Sequence, residues 1–486
     1  VLCARFLVIV VWILRRILWL LGTVGHMMSC FLLRQMEYGA DQHQVRLIGN
    51  KTFEETMRRI NLLGLAFQGA MHDLRESWRE RRLSDDVALL VAYNVEEIPA
   101  KLRAEIEAAM REGQTGLFDT HPVDHARIDQ ARTEETDGVF RLQASALDLF
   151  RGYAKFARLT SAIYYNTLLG QRFDASMLAP TKELQERRKR IEQEQEIQRR
   201  YFQGMITALN PLIVVDGRLE PPEDYEELGK SLLAARKRMK AALPTSPGAL
   251  KSFELHYDTI VNAQIALALR EAGFNIRARD FGLEGASERA IRAAHKESSE
   301  FAEQLSAMLT RFNQAARVRL TCSLTLLHHD KLQRKMGSQF VPLDQVQQLY
   351  ESLATLAEGF DLIQGLYEDY SVLGVLLNNL PGNEDNHKLR QAIEDRIVAC
   401  NRQLEQVFRA FNARQYPFDH TAGDITLAGY LVGGLPHVDD TDSVRRIQQT
   451  IDNFYTLYFR LLGRLAQIAE DVETVVGIKP WPRPPE

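Results

Sequence analysis

Cysteine is scarce in this chain. Cys3, Cys30, Cys322 and Cys400 are the only four in 486 residues, and none belongs to a C-x-x-C pair that could hold zinc or run dithiol chemistry. Their apolar neighbours mark them as small buried thiols, and nothing in them implies an oxidising compartment. A basic excess is also lacking: the formal net charge is −4, so no global positive field exists and nucleic acid is not an expected partner. There is no G-x-G-x-x-G phosphate loop. Gly433-Gly434, in the run Gly429 to Leu435, has neither the spacing nor a preceding strand pattern and reads as a helix stop. No constant repeat period emerges, so a solenoid has no support.

Acidic residues are missing from the first 36 positions, which carry Arg5, Arg15, Arg16 and Arg34 in an otherwise apolar stretch. Arg15-Arg16 stands where a signal peptide would need a small-residue cleavage site, so the segment reads as a retained anchor. As a helix, Ile17 to Leu33 runs about 25 Å, enough for one span of a hydrocarbon core of about 30 Å if the flanking arginines snorkel. Arginines flank both ends, and the positive-inside rule does not set its orientation. A chain that opens at Val1, already inside an apolar run, reads as a piece of a longer protein.

What the rest has in quantity is helical periodicity. With 45% hydrophobic and 26% charged residues, the chain has material for roughly two to four domains with real cores, and an all-α class is expected. Thr52 with Glu55 forms a capping-box pattern, and Ser84-Asp85-Asp86 caps a further helix. Helices are expected over Ala104 to Arg111, Phe140 to Leu169, Thr181 to Arg200, Leu250 to Ala272, Ser287 to Leu327, Leu343 to Leu376, Glu384 to Asn412 and Ser443 to Val475. Leu212 to Val215 reads as one short strand, Leu243 to Gly248 as a linker, and the proline-rich tail from Lys479 as loose. The expected organisation is a membrane segment (1–35), a first domain (36–170), a charged helix and connector (171–243), a helical bundle (244–478) and the tail (479–486).

The chemistry concentrates just past the apolar span. Glu37 and Asp41 are one helical turn apart, hence on one face. About eighty residues on comes Thr120-His121-Pro122, with Arg127-Ile128 after it. Pro122 fits the first position of a helix, which would set His121 beside the cap. This order and membrane context resemble the C-terminal half of the catalytic domain of HtpX-like and CAAX-prenyl-protease-like membrane zinc metallopeptidases, over roughly residues 1 to 165. The resemblance implies that Glu37 is the third zinc ligand, that Asp41 orients it, that His121 faces the active site and steadies the oxyanion, and that Arg127 is the arginine following it. It implies a zinc cofactor, protein or peptide substrates and a cytoplasmic active site.

The physical logic is independent of the name. Such peptidases need three protein ligands and an open position where bound water acquires a pKa near 7. A neighbouring carboxylate or arginine fixes the orientation of a glutamate ligand, and an imidazole near the developing oxyanion can donate to it. The H-E-x-x-H motif that supplies the family's other two ligands and its general base is absent. It would have to lie upstream of Val1, and the chain as written is not expected to assemble a catalytic site alone.

His121, His125 and Asp129 share a face, but a spread of about 12 Å is too wide for one ion. His26 lies about 16 Å before Glu37 on the helix and reads as a packing residue. His328-His329 reads as solvated surface. The second functional expectation is a noncatalytic, membrane-tethered helical scaffold that keeps the old peptidase shell as a docking surface.

Overall fold

The computed structural model describes residues 2–142, 144–215, 217–434 and 442–484, with residues 2–9 as backbone only. Leu435 of the diglycine run, Pro485 of the tail and the Cys3 thiol lie outside the described part. The described residues form sixteen α-helices and one pair of two-residue strands, an all-α chain. Two compact units result: Val1–Trp78 with Arg82–Leu184, and Arg79–Arg81 with Gln185–Glu486.

In the first unit, α1 (Leu2–Ile48) carries the apolar span and continues through Glu37, Asp41 and Val45 without a break. Among the described residues it is the one helix long and apolar enough to cross a membrane, with mean hydropathy 1.4, and its apolar side chains from Val11 to Leu33 are largely exposed. It stops at Gly49, where φ is +87° and a Cβ would sit 2.6 Å from the Asp137 carbonyl oxygen. At Gly138 a Cβ would lie 2.4 Å from the Gly49 nitrogen, so neither position admits a side chain. This close approach lets the Val139 and Phe140 N–H groups donate to the Arg46 and Leu47 carbonyls, at 3.3 and 2.8 Å. Acceptors at the helix end are thereby satisfied.

Because the break falls at Gly49, α2 (Asn50–Trp78) begins two residues before the expected cap, and Thr52 is interior to it. After β1 (Leu83–Ser84), Asp86 caps α3 (Val87–Glu97) by accepting from the Leu89 N–H. Then come α4 (Ala100–Glu112), α5 (Asp124–Arg132), α6 (Tyr153–Leu169) and β2 (Leu178–Ala179). The strands pair in parallel, Leu83 opposite Leu178. The helix expected from Phe140 starts only at Tyr153, after an irregular stretch with one 3-10 turn at Ala146–Leu149. Two small cores hold the unit: Val45, Phe53, Met57, Ile128 and Ala131 join α1, α2 and α5, and Ala70, Leu74, Leu83, Leu90 and Tyr165 join α2, α3 and α6.

The second unit starts within α7 (Thr181–Tyr201). It continues through α8 (Tyr225–Ala242), α9 (Ser246–Glu271), α10 (Glu288–Thr325), α11 (Asp330–Met336), α12 (Leu343–Glu358), α13 (Phe360–Asn378), α14 (His387–Phe411), α15 (Leu427–Leu431) and α16 (Ser443–Val475). One extensive apolar core joins these helices. The expected linker is a three-residue turn between α8 and α9, with Pro247 in the first turn of α9.

The expected helix Leu343 to Leu376 is divided at Gly359, where a Cβ would lie 2.2 Å from Phe411 Cζ, so that the position admits no side chain. Leu212 to Val215 is not a strand. The Tyr458 hydroxyl receives the Leu212 N–H at 2.7 Å and donates to its carbonyl at 3.2 Å, doing for one residue what a sheet partner would do.

Trp481 and Arg483, in the described part of the tail, have partners in the second unit. The Trp481 ring lies 4.6 Å from the Arg319 guanidinium and 5.1 Å from that of Arg236, and Arg483 pairs with Glu196 at 3.0 Å. Beneath Trp481, Arg319 forks onto Glu473, both bonds 2.8 Å, with neither side chain exposed. Tyr201 and Ser323 donate to the same carboxylate at 3.0 and 3.1 Å, and Arg236 pairs with it at 2.5 Å. Burial pushes the Glu473 carboxyl up, but the Arg319 hydrogen bonds and the two guanidinium charges more than offset this, leaving it below the ordinary glutamate value.

Candidate functional site

The site grows from one face of α1. Glu37, Asp41 and Val45 follow at successive turns, and Val45 is buried with Ile128 of α5. That packing sets Arg127, the residue before Ile128, against the two carboxylates. Its guanidinium forks onto Asp41, Nε to Oδ2 at 2.7 Å and Nη2 to Oδ1 at 2.6 Å. Asp41 is 3% exposed, and a bidentate, charge-assisted pair is what makes such burial tolerable. The fork raises the Arg127 pKa above its ordinary value, hydrogen bonding to Asp41 being the largest cause.

The same guanidinium reaches Glu37, Nη2 to Oε2 at 3.5 Å. From the other side, His121 Nδ1 meets Glu37 Oε1 at 3.0 Å, across 84 residues of sequence. Opposite an ionised carboxylate, which only accepts, Nδ1 is the nitrogen that donates in this bond. The His121 side chain is 71% exposed, while that of Glu37 is 30% exposed. The four residues thus form a chain: a buried carboxylate holds a guanidinium, the guanidinium steadies a half-buried carboxylate, and an exposed imidazole caps that.

His121 does not sit at a helix cap. α5 starts at Asp124 with Val123 as its N-cap, and Pro122 precedes the cap. The Val123 N–H donates to Thr115 Oγ1 at 3.1 Å instead, fixing the approach of this segment. A second anchor has no sequence signature. Arg34 Nη1 donates to the carbonyls of Gly116, Leu117 and Asp119 at 3.3, 3.4 and 2.7 Å, and the Cys30 thiol donates to the Phe118 carbonyl at 3.3 Å. The loop that presents His121 is therefore tied to α1 one turn before Glu37. His26 is exposed rather than packed inside, its ring stacked 5.6 Å from that of Phe118.

The remaining histidine readings resolve simply. Asp129 pairs with Arg132 at 3.2 Å, and His125 Nδ1 is buried without a partner. His329 is half-buried and caps α11, its Nδ1 accepting from the Lys331 N–H at 3.1 Å.

No group of three His, Cys, Asp or Glu side chains able to hold a metal occurs among the described residues. Glu37 is the one carboxylate of the site not committed to a buried fork. The residues present therefore do not by themselves fit a zinc ion, which needs three protein ligands. No protein-family model, curated protein or solved structure matches the chain.

Proposed function

We propose that the first unit is the part of a membrane-anchored zinc metalloendopeptidase that carries the third metal ligand, Glu37, and the groups that orient it. The observation that supports this most is the meeting of His121 with Glu37 at 3.0 Å, from segments paired beforehand only through their resemblance to the HtpX and CAAX-protease type. In this reading Asp41 holds Arg127, and Arg127 holds the Glu37 carboxylate at a fixed angle. His121 is an exposed donor beside the ligand, able to swing away because only that one bond restrains it. The reaction is peptide-bond hydrolysis on protein or peptide substrates at a membrane, with the active site on the cytoplasmic side. The two further ligands and the general base come from outside these 486 residues.

A second reading is favoured by a specific observation: both Glu37 oxygens already have protein partners, and among the described residues Glu37 belongs to no group of three His, Cys, Asp or Glu side chains that could hold a metal. It makes the chain a noncatalytic, membrane-tethered helical scaffold. The discriminating experiment is zinc content and casein hydrolysis of the polypeptide as its own gene encodes it, isolated in detergent, beside its Glu37→Gln variant. The peptidase reading expects one zinc per chain and casein cleavage, both lost in the variant. Equal zinc in the two, or none in either, removes that reading and leaves the scaffold.

A further inference from the structure

α6 is apolar on two sides. Ala157, Ser161 and Tyr165 face inward and are buried, with Tyr165 in the core shared with α2 and α3. Phe156, Leu159 and Ile163, at i, i+3 and i+7, form a separate stripe. All three are about half exposed or more, as are Leu149 and Phe150 in the turn just before the helix. This is an ordered surface: the Phe150 ring stacks on that of Phe156, centroids 5.5 Å apart, and the Ser145 side chain caps the turn by accepting from the Leu147 N–H.

Charge identifies what this face meets. From Ala146 to Arg172 the chain carries Arg151, Lys155, Arg158 and Arg172 against one carboxylate, Asp148; Arg158 is paired with Asp85 at 3.0 Å, which leaves Arg151, Lys155 and Arg172 as the cations offered to a partner. An apolar stripe bordered by arginine and lysine, with aromatic rings at its edge, is the composition of a helix lying in a bilayer interface.

Placement within the unit agrees. α2 folds back along α1 after Gly49, because Phe53 and Met57 pack with Val45 and Asn61 reaches Asp124 at 2.8 Å, beside the His121 that meets Glu37. The far half of α2, through Ala70 and Leu74, then packs on α6, and Tyr164 donates to the Met71 sulfur at 3.4 Å. α6 is thus held, through α2, in the same unit as α1, the helix that can cross a membrane.

We infer that α6 and the turn before it form a second membrane contact, an in-plane helix seated on an anionic lipid surface beside the α1 span. This contact needs no metal and stands apart from the peptidase reading.

The test places a nitroxide label at L159C or I163C in the full chain, reconstituted in phosphatidylcholine vesicles containing phosphatidylglycerol. K101C on α4 is the aqueous reference, and the unsubstituted chain, treated alike, gives the background. Labels at 159 and 163 are expected to collide severalfold more with oxygen than with a water-soluble nickel chelate, and the label at 101 the reverse. Equal nickel access at all three sites overturns the inference, as does exclusion of both reagents at 159 and 163, which would mean that protein covers the face. Reversing charge in R151E/K155E is expected to make the labels shallower in phosphatidylglycerol vesicles and to leave them unchanged in pure phosphatidylcholine. Unchanged depth in the first overturns the assignment to an anionic surface.

Discussion

Two forks of guanidinium on carboxylate, built from the same groups, end differently. Arg319 and Glu473 in the second unit are closed on every side. Both carboxylate oxygens are taken, the Tyr201 and Trp481 rings lie within 3.7 and 4.6 Å of the guanidinium, and nothing of either side chain reaches solvent. Arg127 and Asp41 in the first unit are closed on one side only, and beyond them Glu37 and an exposed His121 continue outward. The closed fork can only hold the fold. The open one holds a carboxylate in place while leaving it reachable, as a ligand or a docking group requires.

The contrast is broken most forcefully by Arg319→Leu, which takes the forked guanidinium from a buried carboxylate and leaves it only Arg236, Tyr201 and Ser323. We expect a loss of about 3–5 kcal/mol in the urea-unfolding transition of the second unit, and partial recovery in Arg319→Leu/Glu473→Leu. A double variant no better than the single one would mean that the charges are not what the site balances. Arg127→Leu comes next: it leaves Asp41 buried and uncompensated, at an expected cost of about 2–3 kcal/mol to the first unit. The measure is amide exchange in α1 and α5.

Acid sharpens the comparison. The folded Glu473 and Glu80 carboxyls are both below their ordinary value, burial being outweighed by Arg319 in one case and by Arg460 and Arg187 in the other. Because the folded values are depressed, the stability they contribute is complete above the ordinary glutamate pKa of about 4.3 and is lost as pH falls through the folded values. Circular dichroism of the second unit should therefore hold down to about pH 4 and fall off only below it. Smallest is His121→Ala. An exposed imbalance of this kind is expected to shift stability by less than about 0.5 kcal/mol, whereas Tyr201→Phe, its closed counterpart, costs about 1 kcal/mol.

The parts of this comparison were unequally visible in the sequence. Glu37 and Asp41 declare a shared face because helical spacing is local, and Ser443 to Val475 could be delimited for the same reason. That His121 reaches Glu37 came from resemblance, since no local rule links residues 84 apart. Arg34 read only as a membrane flank, because its partners are backbone carbonyls, which carry no sequence signature. Position 359 excludes a side chain on account of a ring at Phe411, and the Leu212 backbone is satisfied by a hydroxyl at Tyr458; both partners are distant in the chain. In the tail the prolines exclude helix, a local rule, whereas the guanidinium groups of Arg319 and Arg236 that receive Trp481 are distant in the chain.

The most direct measurement is zinc anomalous scattering from crystals of the polypeptide as its gene encodes it. The account predicts a zinc peak about 2.0–2.2 Å from a Glu37 oxygen, with the Asp41 and Arg127 fork intact and His121 released. Glu37 still bridging His121 and Arg127, with no metal beside it, would contradict it.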